Sequence, residues 1–251
     1  MAIIEVKNLV KKYGKFTAVD GISFEVKKGE IFGILGPNGA GKTTTLEMIE
    51  GLREINSGEI LLDGINVKDN PNDIKRLIGI QLQSSSFFDH LNLKELLTLF
   101  GSFYNQKINP MEILAEVELT DKAKSTVKSL SGGQKQRFSI ASAMVNDPIV
   151  LFLDEPTTGL DPQARRHLWN FIRQIQKKGK TVVLTTHYME EAEELCDRIA
   201  IMDRGKILTL DTPENLIKNL LKTGFKKKKI IQEANMEDVF LNLTGHGLRE
   251  E

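Results

Sequence analysis

The sequence of 251 residues contains one cysteine, Cys196, so no disulfide can form within the chain and nothing indicates an oxidising compartment. No apolar run approaches the roughly 18 residues needed to span a bilayer. The N-terminus alternates in polarity like a strand and lacks the long apolar core of a signal peptide. These absences predict a cytoplasmic protein that contacts a membrane only through a partner.

An excess of charge of one sign is absent as well. Lysine and arginine number 34, and aspartate and glutamate also number 34. A balanced charge gives no general electrostatic attraction to nucleic acid, so we expect no nucleic-acid partner. Hydrophobic residues make up 40% of the chain, enough for the core of one large domain or of one domain with an insertion.

Strands alternate with helices in the predicted secondary structure. The segments Ile3–Leu9 and Ile22–Val26 alternate in polarity, which is typical of an antiparallel edge. Residues from about 84 to 146 are predicted to be mostly helical, and they interrupt an otherwise alternating α/β pattern. Two short and almost wholly apolar runs, Ile31–Leu35 and Ile149–Leu153, suit central strands of a parallel sheet, covered on both faces. A third segment, Thr181–Thr186, is similar.

A phosphate-binding motif follows the first of these runs. The segment GPNGAGKT fits the spacing G-x-x-x-x-G-K-S/T, between an apolar strand and a helical pattern. Its glycines let backbone N–H groups turn inward and, with the helix N-terminus, form a cradle for an anion. Lys42 should reach the β- and γ-phosphates, and the Thr43 hydroxyl is a ligand for Mg²⁺. The nucleotide-contacting residues predicted here are Gly36, Pro37, Asn38, Gly39, Ala40, Gly41, Lys42, Thr43 and Thr44.

Two carboxylates, Asp154 and Glu155, directly follow the strand Ile149–Leu153. Ligands of a parallel sheet gather at the carboxyl ends of its strands, where the phosphate loop should also lie. We expect Asp154 to hold Mg²⁺, directly or through a water. Glu155, expected on the opposite side of the strand path, could orient and deprotonate an attacking water. The alternative is that both are ordinary strand-end charges that meet solvent.

A second glycine motif, Leu130–Gln134, precedes the helical stretch Lys135–Val145. Ser131, Gly132 and Gly133 can offer backbone N–H groups to an anion, although a plain helix cap with a flexible turn is the alternative. A phosphate loop, then LSGGQ about 90 residues later, then a strand ending in Asp-Glu, resembles the ABC ATPases. The resemblance covers about residues 3 to 220.

The resemblance implies a fold and a domain organisation. The fold is α/β, a P-loop NTPase core of the RecA type with an antiparallel β edge and an inserted helical subdomain. The ATP-binding domain would span residues 1–221, with the helical subdomain at about 84–146, and residues 222–251 would form a short C-terminal extension.

The resemblance also implies roles for single residues. Tyr13 matches an aromatic that stacks on adenine, and Gln83 matches a glutamine that contacts Mg²⁺ and the γ-phosphate side and links to the membrane partner. Asp161, after Gly159-Leu160, matches a loop that touches the opposite subunit. His187 matches the switch histidine near the γ-phosphate, so Glu155, His187 and Gln83 are the predicted catalytic residues. The residues predicted to complete the ATP site are Ser131, Gly132, Gly133 and Gln134.

The four residues with roles implied by the resemblance, Tyr13, Gln83, Asp161 and His187, each have a structural alternative. Tyr13 can pack on the edge strand, Gln83 can be a surface loop residue, Asp161 can be a helix N-cap, and a lone histidine is usually structural. The sequence also departs from the family at Gln81, where an aromatic residue is frequent.

The family resemblance implies partners. Two subunits, in this case a homodimer, would enclose two ATP molecules head to tail, with the phosphate loop of one facing LSGGQ of the other. They would power a separate membrane permease. Of the adjacent Phe87 and Phe88, one is expected to be exposed and to dock that partner, with burial of both as the alternative. The lysine run at 226–229 is most simply a solvated charge run.

Two segments favour an exporter of drugs or lipids. These are Glu190–Ala200 and Met236–Gly245, which resemble the corresponding parts of exporter ATPases. The main alternative is a soluble ABC ATPase without a transport role, such as an iron–sulfur-assembly ATPase. A module that binds ATP without hydrolysing it would lack Glu155 or His187, and both are present.

Overall fold

The computed structural model describes residues 1–83 and 86–225. Met1–Pro213 form one compact unit, and a second unit begins at Glu214. The strands are β1 (Ala2–Tyr13), β2 (Phe16–Lys27), β3 (Ile31–Leu35), β4 (Ser57–Leu62), β5 (Ile65–Asn66), β6 (Ile78–Gln81), β7 (Val150–Asp154), β8 (Thr181–Thr186), β9 (Arg198–Asp203) and β10 (Lys206–Asp211). The helices are α1 (Lys42–Ile49), α2 (Pro71–Leu77), α3 (Leu93–Phe103), α4 (Pro110–Glu116), α5 (Gly132–Ala143), α6 (Pro162–Lys177), α7 (Met189–Leu195) and α8 (Pro213–Lys222).

A six-stranded sheet of order β10-β9-β3-β8-β7-β6 carries the centre of the fold within the described residues. Its strands from β9 to β6 pair in parallel, and β10 pairs antiparallel with β9. Every residue of β3, β7 and β8 is buried, as expected for strands covered on both faces. The three predicted central strands are confirmed, with β7 displaced by one residue. The carboxyl ends of β3, β6, β7 and β8 therefore meet at one edge of the sheet.

A second sheet, of order β2-β1-β4-β5, is antiparallel and confirms the predicted edge. Its apolar faces and those of the larger sheet form one core. The rings of Phe24 and Phe32 stack there with their centroids 5.3 Å apart, and both belong to the same cluster of buried side chains. Full burial of a side chain of this size stabilises a fold by about 1.5–3 kcal/mol.

Helices α3, α4 and α5 lie between β6 and β7 in the sequence and confirm the helical insertion. Leu96, Leu97 and Leu114 are buried among these helices, and α3 begins with a capping box between Asn92 and Glu95. The limits predicted for the subdomain and for the C-terminal extension stay predictions. The lysine run at 226–229 and the segment Met236–Gly245 lie outside the described residues.

Candidate active site

The phosphate loop joins β3 to α1. Gly39 and Gly41 have φ of 80° and 102°, in the left-handed region that favours glycine. A Cβ added to Gly36 would lie 2.1 Å from the carbonyl oxygen of Met202, so this position also needs glycine for close packing. Gly41 is the N-cap of α1, and no side chain caps this helix. The N–H groups of its first turn are therefore not taken up by a capping side chain. The loop therefore has the features of an anion cradle.

Lys42 lies within this loop and is 4% exposed. Its Nζ donates hydrogen bonds to the carbonyl oxygens of Gly36 (3.0 Å) and Pro37 (3.2 Å). The same atom lies 3.2 Å from Oε1 of Glu155. A buried ammonium group next to the helix N-terminus concentrates positive charge at this end of the loop, where an anionic ligand would be stabilised.

Asp154 ends β7 and accepts hydrogen bonds from the hydroxyl of Thr43, whose Oγ1 lies 3.1 Å from both carboxylate oxygens. The Thr185 hydroxyl also donates to Asp154. Burial raises the pKa of Asp154, and the bonds from Thr185 and Thr43 oppose that rise only in part. A buried carboxylate beside a hydroxyl is a fitting pair of hard oxygen ligands for Mg²⁺.

The number of acidic ligands is small, however. Among the described residues, no group of three or more His, Cys, Asp or Glu side chains could hold a metal ion. Mg²⁺ is commonly held by one or two carboxylates together with the phosphates of a nucleotide. Thr43 and Asp154 suit that kind of site.

Glu155 collects contacts from several elements. Lys42 Nζ and His187 Nδ1 each lie 3.2 Å from its carboxylate, although His187 Nδ1 is not aligned for a hydrogen bond. The Gln83 side-chain amide donates to Oε2 over 3.3 Å, and the Thr158 hydroxyl donates over 3.4 Å. Burial alone would raise the pKa of Glu155, but His187 and Lys42 outweigh it and the pKa is lowered. Glu155 is therefore an ionised and oriented carboxylate.

One expectation about this pair is wrong. Strand alternation placed Asp154 and Glu155 on opposite sides, yet they contact consecutive residues of the phosphate loop, Thr43 and Lys42. The reason is local: β7 ends at Asp154, and Glu155 has a φ of 47°, outside strand geometry. Its N–H donates to the Thr185 carbonyl oxygen (3.2 Å), which holds this conformation in place.

The second glycine motif begins α5. Ser131 caps the helix in a capping box with Gln134, whose N–H donates to Ser131 Oγ over 3.3 Å. Asp161 caps α6 and accepts from the N–H groups of Gln163 and Ala164, each at 3.0 Å, so its N-cap role is confirmed. A pocket of about 460 Å³ lies between the two caps. Its lining comprises Glu118, Ser131, Gly132, Gly133, Gln134, Arg137, Gly159, Leu160, Asp161, Ala164 and His167, and it includes no residue of the phosphate loop.

Tyr13 ends β1 with its side chain partly exposed. Its hydroxyl accepts a hydrogen bond from Arg53 Nη1 over 2.5 Å. Lys11 and Arg53 also lie near the ring face, 5.3 and 5.6 Å from the centroid. The ring is thus flanked by two cations at the end of β1, an inner strand of the antiparallel sheet.

Sequence reasoning missed the threonines that position the carboxylates. Thr185 bonds to Asp154 and to the Glu155 N–H, and Thr158 bonds to Glu155. A usable signal was the pair of hydroxyl residues at the end of β8, next to His187. Gln81, where the sequence departs from the family, is buried and donates to the Leu82 carbonyl oxygen over 2.5 Å.

Comparison with known sequences gives a consistent result. Residues 19–158 match the family model described as "ABC transporter". The linearmycin resistance ATP-binding protein of Bacillus subtilis is 42% identical over 223 residues, which cover 87% of this chain and 72% of that protein. Nod factor export ATP-binding protein I of Ralstonia nicotianae is 40% identical over 220 residues, covering 86% and 68%.

Solved structures agree with these relatives. A nucleotide-free ATP-binding cassette from an ABC transporter superposes with a TM-score of 0.80 at 26% identity, covering 92% of this chain and 98% of the other. A dimeric bacterial ABC transporter cassette gives a TM-score of 0.75 at 29% identity, covering 84% and 98%. The similarity extends over most of the chain in both cases.

Proposed function

This chain belongs to the ABC transporter family as an ATP-binding subunit that hydrolyses ATP to power export through a membrane partner, and on that premise we propose that Glu155 is its catalytic base. The main support for this role is the set of groups that contact the Glu155 carboxylate. Lys42, His187 and Gln83 all come within 3.3 Å of it. A carboxylate fixed from several sides can hold an attacking water in one direction. ATP hydrolysis by a Glu155→Gln variant tests this role.

The phosphate loop would bind the ATP phosphates through its N–H groups and through Lys42. Phosphate oxygens compete with Glu155 for the Lys42 ammonium group. As that contact weakens, one of the causes that lower the pKa of Glu155 is reduced, and the carboxylate becomes a stronger base. His187 and Gln83 keep the carboxylate oriented, and Tyr13 would stack on adenine.

Thr43, Asp154 and Gln83 would hold Mg²⁺, which neutralises charge on the phosphates. We expect Asp154→Asn to lower the ATP turnover rate and to raise the Mg²⁺ concentration required by about tenfold to a hundredfold, because an amide is a weaker ligand than a carboxylate. Titration of ATPase activity with Mg²⁺ measures both effects. Asp121→Asn, at a side chain that is mostly exposed, is the control. An unchanged Mg²⁺ requirement in Asp154→Asn would exclude this assignment.

The functional unit would be a homodimer with two ATP molecules between the subunits. The γ-phosphate would be bound by the phosphate loop of one copy, and Ser131, Gly132 and Gly133 of a second copy would complete its binding site. Support comes from the pocket at the α5 and α6 caps, whose lining includes no residue of the phosphate loop. A related bacterial cassette has been solved as a dimer. ATP would favour the closed pair because only that state contacts the γ-phosphate from both sides.

A groove of about 1110 Å³ is the proposed docking surface for the permease. Phe87 lies in its wall and packs against Phe100 and Phe138, with ring centroids 6.2 and 5.3 Å apart. Phe103, also in the wall, is 67% exposed, and the neighbouring Phe88 is 60% exposed outside the groove lining. An exposed aromatic surface of this kind suits an apolar helix face of a partner.

We expect Phe103→Ser to reduce co-purification with the permease and transport, while the ATPase activity of the isolated subunit is unchanged, because Phe103 lies away from the carboxylates. Phe88→Ser tests the second exposed ring in the same assay. Leu208→Ser, on β10 and 65% exposed, is a matched control outside the groove. Normal recovery of the permease with both phenylalanine variants would contradict the docking surface. Phe87→Ser is less informative, since it removes contacts inside the helical insertion.

The cargo is proposed to be a drug or a lipid-like molecule, moved outward from the inner face of the cell membrane. This proposal is supported by two relatives, which are named for linearmycin resistance and for Nod factor export. None of the helices within residues 1–83 and 86–225 has the length and apolarity to cross a bilayer. A pull-down of the tagged chain from membranes, with identification of the retained proteins, tests the proposal. Recovery of soluble scaffold proteins without any multi-span protein would favour a soluble ABC ATPase instead.

A further inference from the structure

Another carboxylate, Glu191, is buried in the helix that follows His187. It lies in the first turn of α7 and is 0% exposed. The proposed hydrolysis mechanism assigns it no role. A fully buried carboxylate is costly unless polar groups satisfy it, so its neighbours indicate what it does.

Three elements contact the Glu191 carboxylate. Trp169 of α6 donates its indole N–H to Oε1 over 3.0 Å. Burial raises the pKa of Glu191, and the side chains of Thr186, Trp169 and Thr157 counteract that rise. Thr157 Oγ1 and Glu191 Oε2 are nevertheless buried without an aligned hydrogen bond. The carboxylate therefore lies between α6, the end of β8 and the segment after β7, with Oε1 bonded to Trp169.

The residues that face Glu191 are adjacent in sequence to residues that contact Glu155. Thr158 donates to Glu155, and the adjacent Thr157 is the residue that faces Glu191. His187 lies 3.2 Å from Glu155, and the adjacent Thr186 faces Glu191. Thr186 Oγ1 also accepts the Tyr188 N–H over 3.0 Å, which fixes the turn that carries His187. Thr157-Thr158 and Thr186-His187 are thus two pairs of adjacent residues, and in each pair one residue lies at Glu155 and the other at Glu191.

We propose that Glu191 is a positioning residue that sets the orientation of His187 and Thr158 at Glu155, and that Trp169 links this setting to α6. The inference rests on the proposed role of Glu155. Helix α6 begins at Pro162, directly after its N-cap Asp161, which lies in the loop predicted to touch the second subunit. A displacement of α6 is transmitted through Trp169 and Glu191 to both residue pairs. Contact between subunits therefore alters the geometry around Glu155, the water-activating carboxylate.

The test compares Glu191→Gln and Trp169→Phe with Glu193→Gln, an exposed position on the same helix. We expect the first two variants to lower kcat by about tenfold to a hundredfold while KM for ATP changes by less than about threefold, because misplaced catalytic groups slow the chemical step without affecting the phosphate cradle. Trp169→Phe removes the N–H donor and one ring of the indole but keeps an aromatic ring and leaves Glu191 in place, so it remains informative if Glu191→Gln does not fold. The Glu193→Gln control should behave like the unchanged chain.

A spectroscopic readout separates positioning from general destabilisation. The ring-proton chemical shifts of His187, assigned with a His187→Asn variant, should move in Glu191→Gln and Trp169→Phe but not in Glu193→Gln. Normal kcat and unmoved His187 shifts in both variants would overturn the inference, even if Glu155→Gln is inactive. Normal turnover by Glu155→Gln would instead remove the proposed base itself, so the two failures are distinguishable.

Discussion

A Glu155→Gln variant should bind ATP with the affinity of the unchanged chain, while its rate of hydrolysis falls by roughly 10²–10⁴-fold, the usual contribution of a general base. Glutamine preserves the shape of the side chain and can still accept from Gln83 and Thr158. It cannot take a proton from water. It also removes a negative charge next to Lys42, which does not weaken and can strengthen the attraction of that lysine for phosphate.

The same variant should accumulate as an ATP-bound dimer, because hydrolysis is the step that removes the γ-phosphate bridging the two copies. Gel filtration with light scattering, with and without ATP and Mg²⁺, measures the mass, and phosphate release measures turnover. Glu193→Gln should remain a normal ATPase. A Glu155→Gln protein that turns over ATP at the ordinary rate would show that another group activates the water. A protein that stays monomeric while saturated with ATP would instead contradict the two-copy site.

The parts of the fold that the sequence predicted best are those where burial alone decides the residue type. Strands β3 and β8 begin and end at the predicted residues, because a strand covered on both faces leaves no place for a charged side chain: β3 is wholly apolar, and β8 combines three apolar residues with three threonines. Helix α5 begins at Gly132, three residues before the predicted start. Glycine has low helix propensity, and its inclusion here depends on the capping box between Ser131 and Gln134.

Some features of the candidate site are encoded by a local sequence pattern, and others depend on residues distant in sequence. Its loop residues and carboxylates were predictable because phosphate and Mg²⁺ binding impose a short local pattern. The left-handed backbone at Glu155 was not, because it depends on hydrogen bonds to Thr185, which is 30 residues away in sequence. The contact between Trp169 and Glu191 spans 22 residues and two helices, so no local pattern encodes it. Phe87 packs against Phe138, which is distant in sequence, and Phe88 is left exposed; this difference between neighbours likewise depends on tertiary packing.

Replacement of Lys42 by alanine should abolish ATP binding at concentrations that saturate the unchanged chain. A charge-assisted hydrogen bond is worth about 1.5–3 kcal/mol, and loss of several from one ammonium group amounts to a reduction in affinity of about a hundredfold or more. The variant also leaves Glu155 without its cation in a largely buried site, which brings a negative charge unopposed toward incoming phosphates. Both effects act in the same direction.

Calorimetric or fluorescence titration with ATP measures the loss of Lys42 directly. Lys42→Met retains the aliphatic length that fills the loop, so it separates loss of charge from loss of packing, and thermal unfolding checks that both variants fold. Lys206→Ala removes an exposed lysine paired with Asp20 and should bind ATP normally. If folded Lys42→Met and Lys42→Ala both retain full ATP affinity, phosphate does not depend on this ammonium group. The glycine-rich loop would then have to hold the nucleotide through its N–H groups alone.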